Sequence, residues 1–441
     1  MKRKLSLALA FALALSAPLA LGSCSEDVTV LRIASWEEYI DEGGDESYIE
    51  GSNSLVEDFE AWYEATYKEK IRVAYIPLQD NEQIYAKIDK FQRHYDLLCP
   101  SEYMIMKLIA EDRLEKLPES FYDTSVETNY YAKNVLPYIK EVFTAPENEI
   151  DGSKWWDYTA GYMWGTTGFI YNTEKVDAED VKSWNVYFNK DYSISAKNNV
   201  RDSYFAGLGM YYEEALLAVD KNSPDYNKTL TEMMNQTDPS VMKEVEALLK
   251  RMKSSKNFWG FETDNAKSYL LAGDIDISYQ WSGDAVYIMD EAESEERNNP
   301  LSYGYCIPDA ASNLWFDGWV MMKGANVDAA TAFINFVSKP ENVVRNMYYI
   351  GYTSCVGGQE VFDYVVETYG AEEDDETAAE YDLSKYFGEG YTVLAPLEQH
   401  TRQLFAQYPK AEDLSRCCIM QYFDADENKR ANTLWKNVSG D

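Results

Sequence analysis

The sequence predicts a two-lobed α/β chain, on three grounds. Its 441 residues are more than one hydrophobic core organises. From residue 28 to residue 117, β-branched runs alternate with stretches of helical periodicity as β-α-β-α-β-α. That is the pattern of a doubly wound sheet with helices on both faces. Hydrophobic residues make up 46% and aromatics 15%, which builds packed cores rather than a disordered chain.

Residues 28–34 (VTVLRIA) alternate and are β-branched, so they form the first strand, which runs into Ser35-Trp36-Glu37-Glu38-Tyr39. Aromatics and carboxylates there are well placed for a ligand, because open α/β sheets bind at the carboxyl ends of their strands. Residues 41–53 are acidic and contain glycine, as a loop does. Leu55, Phe59, Trp62 and Tyr63 recur at helical spacing, with Ser54 as the N-cap. Residues 71–76 give the second strand and 81–91 the next helix. A buried strand over 95–100 stops at Pro100, and 104–117 reads as a helix. Farther on, 162–172 is an apolar strand whose glycines signal a bend or a close backbone approach. Residues 201–219 and 239–252 are helical, and 274–280 is a strand leading to Trp281-Ser282-Gly283-Asp284. Residues 328–338, 342–349 and 431–438 are helical, 350–354 is a turn, and 370–380 is an acidic surface segment. Asp424-Ala425-Asp426-Glu427-Asn428 echoes a calcium loop but lacks the glycine and the terminal Glu at the required offsets.

Composition narrows the function. A formal charge of −36 repels nucleic acid and anionic membrane surface and draws in a cation, although acidity also keeps a secreted chain soluble. The two histidines, His94 and His400, stand in no metal-ligand spacing, and the six cysteines form no C-x-x-C. No metal, no cofactor and no histidine relay is expected.

The chain starts Met1-Lys2-Arg3-Lys4, followed by an apolar run over 5–21 and then polar sequence. Residues 1–23 are therefore expected to be a secretory signal peptide. The run ends Leu21-Gly22-Ser23-Cys24, which resembles the lipobox of bacterial lipoproteins. It implies cleavage before Cys24, lipid on its thiol, and an extracytoplasmic protein held to the membrane by that anchor alone. Ordinary cleavage near Ala20, with Cys24 incidental, is the alternative. No other segment approaches the roughly 20 apolar residues of a membrane span. Cys99, Cys306, Cys355, Cys417 and Cys418 remain, an odd number that leaves at least one thiol free or paired elsewhere.

The stretch 313–322 (NLWFDGWVMM) carries a single carboxylate, Asp317, among three large aromatics. A buried carboxylate is costly unless a cation or a set of donors meets it, and indole faces attract cations. Trp-x-Asp here reads as a seat for a positive group. The plainer reading is a strand with alternate residues in the core and Asp317 at a turn before Gly318.

Ser35 to Tyr39, Asn81-Glu82-Gln83-Ile84-Tyr85, Tyr95-Asp96-Leu97 with Pro100, Ser101 and Tyr103, and residues 162–172 resemble the spermidine/putrescine-binding proteins of bacterial ABC importers. Gln280 to Asp284, Leu314-Trp315-Phe316-Asp317, Phe333-Ile334-Asn335-Phe336 and Ile350-Gly351-Tyr352-Thr353 continue the match in order. The resemblance implies the type II periplasmic-binding-protein fold, with crossover strands and an interlobe cleft. It assigns residues 24–167 and 318–360 to the first lobe and residues 168–317 and 361–441 to the second. It also implies a polyamine held by carboxylates at its ammonium groups and by rings along its methylenes. Position by position, the contacts it implies are Trp36, Glu38, Tyr39, Ser101, Tyr103, Asp202, Trp281, Trp315, Asp317, Tyr352 and Gln421. Three positions depart from the pattern. Glu37 stands where a Thr is usual, Asn199 where some members carry an acid, and Asp284 is an extra carboxylate; all three are possible contacts. The implied partners are a polyamine and the permease subunits of an ABC transporter, reached by a monomer whose cleft closes on ligand.

Two binding alternatives share this architecture: a polyamine sensor subunit, and a sugar-binding protein of the same fold. A glycosidase with paired carboxylates and aromatic platforms is the enzymatic alternative. The absence of a catalytic constellation in the sequence argues against an enzyme.

Overall fold

The computed structural model describes residues 28–78, 80–89, 94–294, 300–372 and 374–440. The expected signal segment 1–23 and Cys24 lie outside them. The strands, in chain order, are β1 (Thr29–Trp36), β2 (Ile71–Leu78), β3 (Leu97–Leu98), β4 (Leu114–Glu115), β5 (Thr159–Asn172), β6 (Ile194–Ala196) and β7 (Phe258–Phe261). They continue with β8 (Ile277–Trp281), β9 (Tyr303–Cys306), β10 (Ser312–Met322), β11 (Thr353–Ser354), β12 (Ala379–Asp382), β13 (Thr392–Ala395) and β14 (Cys417–Cys418).

The main sheet runs β2-β1-β3-β10-β5-β8-β6-β7. β1 pairs in parallel with both β2 and β3, as the alternation of helix and strand from residue 28 requires. β5 and β10 are buried at every position and pair with each other antiparallel. The first part of β5 lies against β10 and β11, and its last residues lie against β8 and β9. β10 likewise meets β14 at its start and β3 and β4 at its end. These two strands therefore run from one half of the sheet into the other. The register of β10 against β5 shifts between Asp317 and Gly318. Asp317 thus sits at a bulge inside a continuous strand, not at a turn, and a bulge re-aims the side chains beside it.

Local chemistry explains the helix ends. Ser54 and Glu57 form a reciprocal capping box at the start of the helix Leu55–Tyr67, and Leu55, Phe59 and Tyr63 face the core. Lys68, at φ 62°, closes it in the left-handed region. Asp424 and Glu427 make the same box for the helix Ala425–Ser439, so the residues that echo a calcium loop instead start a helix. The helix expected over 104–117 is shorter, Glu102–Ala110. Asp112, at φ 52°, turns the chain into β4. The segment 370–380 leads into β12, whose Tyr381 is buried against the partner strand β13. Among the described residues no helix is long and apolar enough to cross a membrane. The five described cysteines are unpaired.

Candidate functional site

Strand ends bring the candidate residues together. Trp36 closes β1, Ser101 follows β3 and caps the helix Glu102–Ala110, and Trp281 closes β8 just before the helix Ser282–Ala292. Asp202 lies in the first turn of the helix Val200–Leu217, whose N-cap is Asn199. Asp317 lies between the two halves, on β10.

Asp317 is 6% exposed. Its Oδ2 accepts a hydrogen bond of 2.7 Å from the Tyr39 hydroxyl, and its Oδ1 accepts none. Its backbone forms an isolated bridge with Ser101. Burial pushes its carboxyl up to about 6, and the hydroxyls of Ser101 and Tyr39 offset only part of that rise. Aromatic rings surround it. Tyr39 stands edge-on to Tyr162 at 5.4 Å and to Tyr352 at 6.0 Å, and Tyr352 lies 5.4 Å from Trp315. The Trp315 indole donates to the Thr166 carbonyl at 3.2 Å. Trp36, Trp281 and Tyr352 pack half-buried against the same apolar cluster, and the Trp36 indole N–H has no hydrogen-bond partner.

Further groups run from there across the sheet. Glu102 is buried and accepts from the Phe316 N–H at 3.2 Å. Burial first, and then neighbouring Asp317, hold its carboxyl well above the usual range. Next to it, Tyr103 lies under the Arg201 guanidinium at 4.3 Å, and its hydroxyl accepts from Asn81 at 2.9 Å. Arg201 also covers Phe423 at 3.8 Å and donates to the Gln421 carbonyl at 2.6 Å. Asp202 is buried; its carboxylate accepts one hydrogen bond from the Asn199 side-chain amide, and its own N–H donates one to the Asn199 Oδ1 at 2.8 Å. Asp284 pairs with Lys267 at 2.8 Å and accepts from the Tyr352 hydroxyl at 3.3 Å.

The structure therefore draws Trp36, Tyr39, Ser101, Trp315, Asp317 and Tyr352 into one aromatic, carboxylate-centred cluster. Trp281 packs against the same cluster, Asp284 joins it through the Tyr352 hydroxyl, and Tyr103, Gln421 and Asp202 with its cap Asn199 gather around Arg201. Glu37 and Glu38 are exposed, and Glu38 occupies the left-handed region at φ 52°. The cations Lys197, Arg201 and Lys267 are absent from the sequence-based set. For the first two the sequence signal is local: Lys197 and Arg201 lie five and one positions before Asp202. A surface groove of about 450 Å³ between the helices Pro239–Lys253 and Ala425–Ser439 contains none of these residues.

Gly283 is packed directly against the Tyr352 ring, and a methyl group there would overlap it. Tyr352 precedes β11 on one half of the sheet and Gly283 follows β8 on the other. Gly283→Ala is expected to push the halves apart, read as a larger radius of gyration in small-angle scattering.

Residues 54–357 match the family described as bacterial extracellular solute-binding protein. The spermidine/putrescine-binding periplasmic protein of Salmonella typhimurium is 26% identical over 333 residues, covering 74% of this chain and 78% of that one. The putrescine-binding periplasmic protein SpuD of Pseudomonas aeruginosa is 26% identical over 321 residues, covering 71% and 75%. Among solved structures, the spermidine/putrescine ABC transporter substrate-binding protein PotD from Streptococcus pneumoniae matches 93% of this chain and 99% of that one, at 26% identity and a TM-score of 0.59. The Tp0655 (TpPotD) lipoprotein of Treponema pallidum shares the fold at 19% identity and a TM-score of 0.60. With two crossover strands, an acidic aromatic cluster between the halves they join, and a family match over most of its length, this chain belongs to the bacterial extracellular solute-binding proteins.

Proposed function

We propose that this chain binds an aliphatic polyamine of the spermidine/putrescine class between its lobes and delivers it to an ABC transporter permease. The observation that carries the reading is Asp317. It is a buried carboxylate with one oxygen unpartnered, ringed by Tyr39, Trp315 and Tyr352. An ammonium group would supply the missing donors through charge-assisted hydrogen bonds, and the rings would cover its methylenes. The names of the relatives support the same class of ligand. We place the lobe boundaries within β5 near 167, where its partner changes from β10 to β8, and within β10 near 317, where its register against β5 shifts. The lipid anchor on Cys24, the monomeric state and the contacts implied for the other cleft residues belong to the same proposal.

Titration calorimetry of the chain without residues 1–23, against putrescine, spermidine, agmatine and a neutral sugar, tests it. Heat with the amines and none with the sugar is expected; binding of the sugar alone would overturn it. Acid should weaken binding. With its carboxyl near 6, Asp317 is ionised at pH 7 and progressively protonated below pH 6 in the free protein. A bound ammonium needs the ionised form, so affinity should drop about tenfold per pH unit below that point, with one proton released per amine bound.

A further inference from the structure

The two ends of the cluster differ in charge balance. At the β10 end, the Asp317 Oδ1 has no partner. At the β8 end, a cation of the chain itself is already seated. Lys197 directly follows β6, at a strand's carboxyl end, and its side chain is 0% exposed. Its ammonium lies 3.0 Å from the centre of the Trp281 ring and donates to the Gln280 Oε1 at 3.1 Å. Asp202 and Asp284 both act on it electrostatically. An aromatic face with carboxylates nearby is the environment that an amine ligand would seek. The second acid there is also taken, because Lys267 pairs with Asp284. Asp202, Asp284 and the more weakly coupled Asp264 are thus already met at this end by Lys197, Lys267 and Arg201, and a further cation arriving there would face like charge.

We propose that Lys197 is a specificity-determining residue whose own ammonium occupies the Trp281 seat, so that the cleft prefers a short diamine over a triamine. The proposal rests on the polyamine reading above and adds to it the number of charges the ligand can place. A diamine anchored at Asp317 has the neighbouring buried Glu102 carboxyl for its second ammonium and leaves the Lys197 seat undisturbed. A triamine must either leave one ammonium without a counter-charge or displace the lysine from a fully buried position.

Calorimetry with putrescine and spermidine, on the wild type and on Lys197→Met and Lys197→Arg, tests this. The wild type is expected to bind putrescine at least tenfold more tightly than spermidine. Lys197→Met removes the charge and is expected to cut that ratio at least tenfold, while Lys197→Arg keeps the charge and the preference. Lys197→Gln, which retains a polar head beside Gln280, replaces the Met variant if that one fails to fold, with the same expected ratio. A wild type that binds spermidine as tightly as putrescine, or neutral variants with an unchanged ratio, would overturn the role of Lys197 and leave the polyamine reading standing. Absence of heat with either amine in every form would overturn both.

Discussion

Asp317→Asn is expected to make the ligand-free protein more stable and to reduce amine affinity at least a hundredfold. The sign follows from burial. The carboxyl of Asp317 rises from 3.8 to about 6 because its charged form is desolvated. The native state therefore holds a proton that the unfolded chain releases between about pH 4 and 6. Stability falls as pH rises through that window, and the full penalty, on the order of 3 kcal/mol, is present above it. The amide removes the charge, keeps an acceptor for Tyr39, and so relieves much of that penalty at pH 7. An ammonium loses its counter-charge in the same step, which accounts for the fall in affinity. Urea denaturation at pH 7 and pH 5 checks the first half, and calorimetry the second. The gain over the wild type should shrink at pH 5, where Asp317 itself is largely protonated. Equal gains at both pH values would show that the buried charge is not the source. A gain that shrinks at pH 5 would make the residue an example of binding chemistry held at the expense of stability.

Arg345→Met is expected to have the largest effect on folding, on the order of 3–5 kcal/mol of destabilisation, read as a lower urea midpoint. The Arg345 Nε meets the Asp41 Oδ2 at 2.8 Å, its Nη1 meets the Asp58 Oδ2 at 2.8 Å, and its Nη2 donates to the Asn53 carbonyl at 2.7 Å. Asp41 is fully buried, and the Gly43 N–H and the Ser47 hydroxyl serve its oxygens at 2.8 and 2.7 Å. Removing the guanidinium strands that carboxylate away from water, and this desolvation, rather than the loss of a pair, sets the magnitude. The network pins the segment 41–53 to the helix Pro340–Ile350. Tyr39 lies two residues before Asp41, and Tyr352 two residues beyond that helix. Amine affinity should therefore drop alongside stability. A double substitution, Arg345→Met with Asp41→Asn, should recover part of the loss, because the stranded charge is then gone.

Much of the first half of the fold is legible in the sequence because its signals are local. Ser54 with Glu57 marks a helix start, alternation marks β1, and the aromatic and acidic residues after β1 and β8 mark strand ends facing a crevice. The two-residue strands β3, β4, β11 and β14 are shorter than any periodic window, and only their partners define them. The left-handed turn at Asp112 is invisible to helical spacing, so the helix Glu102–Ala110 reads too long in sequence. At the site, the carboxylates and rings stand out by residue type. Their neutralisation does not, because Lys267 lies 17 positions from Asp284, and Lys197 lies 83 positions from Gln280. Those pairings exist only after the sheet has formed. Glu38 shows the converse: it is adjacent in sequence to Tyr39, yet its backbone conformation turns it outward.

The register shift beside Asp317 has a mechanical consequence. β5 and β10 are otherwise unbroken buried strands, stiff along their length, so compliance concentrates where their ladder is interrupted. The ammonium's pull would act beside that fulcrum, where sub-ångström adjustments suffice, and the arms beyond it would amplify them toward the outer rims of both halves. A docking partner touching only those rims could then read occupancy as a change in spacing, without contacting the cargo.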